Sequence, residues 1–179
     1  KIRNAHVVAT EGEGATLYRG MAPLADSEFL ELSKFRVASV LIFKNSDRDD
    51  EIAVERDRLQ QTLGAKSVTK HVDFPWRDFN GDFTSPCRQT VEALIFLRNA
   101  MQTGRNTYFH CTVGEDRTGL LAGLYRMLDP RQRWSTARAF QNELCENGFG
   151  AGDARKPFAG VVQPINDGLL PLFAAMSQA

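Results

Sequence analysis

The stretch His110-Cys111-Thr112-Val113-Gly114-Glu115-Asp116-Arg117-Thr118-Gly119 joins residue types that can do chemistry together. A cysteine attacks well only as its thiolate, and a free thiol titrates near ~8.5. Apolar residues at Leu120, Leu121, Leu124, Met127 and Leu128 recur at helical spacing, so a helix is expected from about Arg117 to Leu128. Its N-terminus would turn unpaired N–H groups and a positive dipole end toward the cysteine. Both favour the thiolate, and His110 can help to fix the loop. A loop of Thr112, Val113, Gly114, Glu115 and Asp116 wrapped with its amides inward is also a nest for a phosphate group. Gly114 permits a backbone angle that other residues resist. Arg117 can fork onto two phosphate oxygens, and would hold them harder as charge builds in a transition state. The Thr118 hydroxyl can donate to the sulfur and help it leave.

A Cys and an Arg six positions apart are weak on their own; the weight is in the His before, the Gly between, the Thr after, the strand leading in and the helix leading out. Together, as HCxxGxxRT, they resemble the signature of the protein tyrosine phosphatase superfamily, in particular its compact dual-specificity branch. The resemblance follows element order from about Leu17 to Gly150. It implies a two-step reaction with no metal and no cofactor. The cysteine takes the phosphoryl group, an aspartic acid protonates the leaving oxygen, and the same aspartate then activates water.

In the family that acid comes from a loop upstream of the cysteine. Here Asp73-Phe74-Pro75-Trp76-Arg77-Asp78-Phe79-Asn80-Gly81-Asp82 offers three aspartates. Asp78 lies 33 residues before Cys111 and follows an aromatic-Pro lead-in similar to that of many compact members, so it is favoured over Asp82 and Asp73. Asp82 also fits a turn at Asn80-Gly81-Asp82. Asp116 departs from the commonest loops; it reads as a helix N-terminal carboxylate or as a second acid. Glu115 adds negative charge where phosphoinositide-directed members often carry Lys.

For substrate, the reading favours myo-inositol polyphosphates, as in the bacterial members that act as phytases. A phosphotyrosine or dual-specificity protein phosphatase is the alternative, and a non-catalytic phosphate-binding module the alternative from another class. A polyphosphate calls for cations around the pocket mouth. Arg19, Lys44, Arg48, Arg77, Arg155 and Lys156 are the candidates, each competing with a plain surface role, with Arg77 next to the favoured acid.

These residues need a scaffold. Val37 to Phe43 is a continuous apolar run, as in a strand covered on both faces. Leu17–Arg19, Ser67–Val72 and Asn106–His110 read as further strands. Helices are expected over Asp26–Phe35, Glu51–Leu63 with anchors at Ile52, Leu59 and Leu63, Ser85 to Gly104, Ser135–Cys145 and Asp167–Met176. Strands alternating with helices give an α/β fold, one domain over residues 1–179 with a mostly parallel sheet of four to five strands. Such sheets bind ligands at the carboxyl ends of their strands, where Cys111 falls.

Composition narrows the partners. The 179 residues carry 22 basic and 22 acidic side chains, which argues against a nucleic-acid partner. Arginine outnumbers lysine 16 to 6, which suits phosphate recognition but also follows from codon bias. Three cysteines without a CxxC are not a disulfide framework, so Cys87 and Cys145 are read as packing residues, with a redox partnership to Cys111 as the rival. The three histidines show no metal-ligand spacing. No apolar run reaches the ~18 residues that span a bilayer. A monomer is expected, and the resemblance together with a first residue other than Met favours bacterial export over a cytoplasmic location.

Overall fold

The computed structural model describes residues 1–12, 14–46, 49–75, 79, 81–149 and 162–179. Two short strands, β3 (Ser39–Phe43) and β5 (Thr107–His110), are buried at every position. They pair in parallel at the centre of a five-stranded sheet. β2 (Ala15–Gly20) lies beside β5 and β4 (Val68–Val72) beside β3, both parallel. β1 (His6–Glu11) closes the β2 edge antiparallel, with a break in register between Val7 and Ala9. That extra residue disrupts the period-2 alternation, which is why the sequence does not announce this strand.

Alternate side chains of the central strands enter two cores. Val40, Ile42 and Tyr108 pack with Phe29 and Leu32 of α1 (Asp26–Lys34) and with Ile52 and Leu59 of α2 (Asp49–Leu63). Leu41, Phe43 and Phe109 pack with Leu97 of α3 (Thr84–Gln102) and with Leu120 and Leu124 of α4 (Asp116–Leu128). Each such fully buried side chain contributes about 1.5–3 kcal/mol relative to exposure. A short α5 (Thr136–Ala139) runs into a π-helical segment, Phe140–Phe149, and a second π-helical segment, Ile165–Leu169, continues as α6 (Leu170–Ser177).

Three features differ from expectation. Helix α3 begins at Thr84 rather than Ser85, and the Asp82 carboxylate caps it by accepting the Thr84 N–H at 2.9 Å. The helix after Ser135 turns π-helical from Phe140 and bends at Gly148, whose φ/ψ are not helical. Helix α4 is buried around most of its circumference from Asp116 to Tyr125, whereas Leu128, read as part of its stripe, is 59% exposed. Burial on all sides needs close neighbours, and the glycines of α4 provide the room. A Cβ on Gly119 would meet the Glu143 carbonyl oxygen at 2.5 Å, and one on Gly123 would meet Leu144 Cδ1 at 2.8 Å. Gly119 closes the sequence signature because the π-helical segment lies against it. Among the described residues, no helix is long and apolar enough to cross a membrane.

Candidate active site

Cys111 leaves the end of β5 and is 2% exposed, at the carboxyl edge of the sheet where the sequence places it. The loop that follows is held by its carbonyls. His110 Nδ1 donates to the Cys111 oxygen at 2.7 Å, the Ala22 N–H to that of Thr112 at 3.1 Å, and Asn4 Nδ2 to that of Val113 at 2.9 Å. Arg19 Nη2 donates to the oxygens of Gly114 at 3.0 Å and Glu115 at 3.2 Å. Every carbonyl from Cys111 to Glu115 therefore points out of the loop. No peptide here is cis. In a trans peptide the next N–H points opposite to the carbonyl. The N–H groups of Thr112 to Asp116 thus turn inward, an arrangement of the kind that can hold an anion.

Gly114 is required twice over. Its φ is +75°, and a Cβ there would lie 2.2 Å from the Gly20 carbonyl oxygen. Gly114→Ala is expected to cost about 2–4 kcal/mol in a urea titration, because the obstacle is backbone and cannot rotate away. A loss under 1 kcal/mol would mean that the loop adapts and that its shape is not fixed.

Arg117 is held from two sides: Nη1 donates to Asn45 Oδ1 at 2.9 Å and Nη2 to Thr112 Oγ1 at 3.1 Å. Burial pushes the Cys111 thiol up, but the Arg117 charge, the Thr118 hydroxyl and the Thr118 N–H pull it down by more, against an opposing push from Asp116; the net direction is below an ordinary thiol. The Thr118 hydroxyl is fully buried, has no hydrogen-bond partner among the described residues, and favours the ionised form of the nearby thiol. Cys145 shows the contrast: burial and Glu146 push its thiol up. Cys145 and Cys87 are both free and half-buried, and Cys87 packs against the core.

Other candidates fall differently. Arg19, read as a cation for the pocket mouth, is fully buried under the loop instead. Beyond its two loop contacts, it pairs with the Glu143 carboxylate at 2.5 Å and reaches the carbonyls of Glu143 and Asn147. The reason is charge pairing: Glu143 is buried too, and it also takes Arg126 Nε at 2.5 Å. Lys44 is 8% exposed, with a charge that reaches His110, so it sits beside the loop rather than on open surface. Asp73 is occupied by Ser46, accepting its N–H at 3.0 Å and its hydroxyl at 2.9 Å. Asp82 is occupied by Thr84, whose N–H holds that carboxyl below its usual range. Asp78, Arg77, Trp76, Arg48, Arg155 and Lys156 lie outside the described residues. Asn4, Ala22 and Asn45 carry no sequence signal of their own; each reaches the loop from a distant part of the chain.

No family model matches the chain, and no curated protein matches it by sequence. Solved structures do. The core catalytic domain of the PP-IP phosphatase SIW14 from S. cerevisiae, in complex with citrate, is 21% identical with a TM-score of 0.60, over 99% of this chain and 94% of that one. TpbA from P. aeruginosa is 24% identical with a TM-score of 0.52, over 90% of this chain and 86% of that one, and also matches in a complex with pTyr. Tk-PTP in its active form is 17% identical with a TM-score of 0.59, over 96% of both chains. With a cysteine loop between the central strand and a buried helix, and these neighbours, the chain has the fold of the protein tyrosine phosphatase superfamily in its compact, dual-specificity-like form.

Proposed function

We propose that this chain is a cysteine-dependent phosphate monoester hydrolase that works as a single domain. The observation that carries the reading is the outward carbonyls of residues 111–115, which turn a ring of amides toward a thiol whose ionisation is favoured. In this mechanism the Cys111 thiolate attacks phosphorus, an S–P bond forms, and the bond to the leaving oxygen breaks. Asp78 gives that oxygen its proton. The inward amides and Arg117 hold the three equatorial oxygens as their charge grows. Water, deprotonated by Asp78, then attacks the phosphocysteine, and the sulfur leaves as thiolate with the Thr118 hydroxyl donating to it. Asp73 and Asp82 are tied to Ser46 and Thr84, which favours Asp78 as the acid.

For substrate we favour myo-inositol polyphosphates. The likeness to a PP-IP phosphatase over nearly the whole of both chains supports this. A phosphoprotein is the second reading, supported by the likeness to TpbA in its pTyr complex. Lys44 and Arg77 would serve either substrate as charges flanking the loop. The test is a comparison of kcat/KM on inositol hexakisphosphate and on a phosphotyrosine peptide, each with the Asp78→Ala variant. The expected result is a preference of tenfold or more for the inositol ester, and a loss of about 10²–10³-fold in Asp78→Ala that is smaller for leaving groups of low pKa. A preference for the peptide selects the second reading. Phosphate binding with no turnover of either ester would make the chain a binding module.

A further inference from the structure

The buried face of α2 runs through Ile52 and Leu59, and Glu55 shares that face at 7% exposed. The cluster around it includes Val40, Ile42 and Tyr108. A carboxylate in such surroundings is unfavourable unless it is paired. Its Oε1 lies 2.7 Å from Nε2 of His110, which is fully buried; the contact is at ion-pair distance but out of line for a hydrogen bond, and neither atom has a hydrogen-bond partner among the described residues. The other ring nitrogen, Nδ1, is 2.7 Å from the Cys111 carbonyl. A carbonyl can only accept, so Nδ1 carries hydrogen. A carboxylate oxygen 2.7 Å from Nε2, both buried, favours a proton on that nitrogen as well, because a charged ring meets the carboxylate as an ion pair whereas a bare nitrogen would be repelled.

We propose that Glu55 is a positioning residue for Cys111: it holds His110 as an imidazolium locked onto the Cys111 carbonyl, and so adds a second cation beside the nucleophile to that of Arg117. The inference rests on reading Cys111 as the nucleophile. Several groups bear on that proton. Burial and the Lys44 charge oppose the imidazolium, while Glu55 and the Cys111 carbonyl favour it by more. Tyr108 stands 5.7 Å away, ring to ring, but its hydroxyl is given to the Met21 carbonyl at 2.5 Å. Burial above all, and then the charges of Glu55 and Glu28 of α1, keep Tyr108 protonated. The lock also accounts for the first outward carbonyl of the loop, so the same pair shapes the nest and charges it.

Glu55→Gln keeps the shape of the side chain and removes its charge. The amide can donate to a neutral Nε2, so His110 stays in place without its positive charge. Two measurements on the full chain test this. Alkylation of Cys111 by iodoacetamide, followed across pH by mass spectrometry of the peptide, is expected to slow about 3- to 10-fold in Glu55→Gln on the acid side of the wild-type midpoint. Ring nitrogen shifts of His110 are expected to show an imidazolium in the wild-type chain near neutral pH and a neutral ring in the variant. An unchanged alkylation profile overturns the proposal. So does a neutral His110 in the wild-type chain, a result that stands even if the variant does not fold. Neither measurement needs turnover. Absence of ester hydrolysis with a charged His110 and the expected alkylation shift would reject the phosphatase reading and leave this one standing.

Discussion

Cys111→Ser is expected to lower kcat on a phosphate monoester by about 10⁴-fold or more while phosphate still binds within a few-fold of wild type. The loop lowers the thiol against its own burial, through Arg117 and two donors on Thr118. A serine hydroxyl starts far higher on the pH scale, and the same field cannot ionise it near neutrality. The nest and Arg117 do not depend on the sulfur, so the anion site should survive. The sign of the pH effect follows from the direction of the shift. A lowered thiol is ionised from a lower pH upward, so the rising limb of kcat/KM should lie below the range of a free cysteine. Steady-state kinetics on para-nitrophenyl phosphate and a phosphate competition assay measure both halves. Residual activity above a hundredth of wild type would show that the sulfur is not the nucleophile.

The second large effect is on stability. Glu143→Gln is expected to destabilise the fold by about 3–5 kcal/mol at neutral pH, because it leaves Arg19 buried without its counter-charge. Burial pushes the Glu143 carboxyl up, but the His6 ring 3.6 Å away and the charges of Arg19 and Arg126 carry it down to about 2 from an ordinary 4.5. A carboxyl lowered by folding stabilises above its unfolded value and ceases to as pH falls through its folded one. Its contribution of about 3 kcal/mol should therefore be complete above pH 4.5 and decline toward pH 2. Urea titrations should show the wild-type chain losing its advantage over Glu143→Gln across that window. Replacing Arg19 by Met in the same chain should recover part of the loss, since removing both charges costs less than removing one. A constant gap between wild type and Glu143→Gln down to pH 2 would mean that this carboxylate is not what holds Arg19.

Much of the scaffold can be read from local pattern. The apolar run ending at Phe43 became β3, and the residues before Cys111 became β5. Gly64 and Gly104 stand just past the ends of α2 and α3 with φ of +91° and +74°, as helix stops do. β1 escaped because its bulge breaks the alternation and its ends, His6 and Glu11, are polar. The narrow stripe assigned to α4 was too small because amphipathic spacing reports one buried face, and this helix is covered by sheet, α3 and the π-helical segment together.

For the site the division is sharper. The sequence by itself determined the contiguous parts: a cysteine after a strand, a glycine at the bend, and an arginine and a threonine opening a helix. Neighbours in the chain are neighbours in space there, so their types and spacing suffice. Only the tertiary structure decided what holds that loop open: Asn4 from 109 residues away, Arg19 from 95, and Asn45 reaching Arg117 across 72. It alone turned Arg19 from a surface cation into a buried anchor and put Glu55 behind His110. A charged residue's type does not say whether it faces water; that depends on whether packing brings an opposite charge to it.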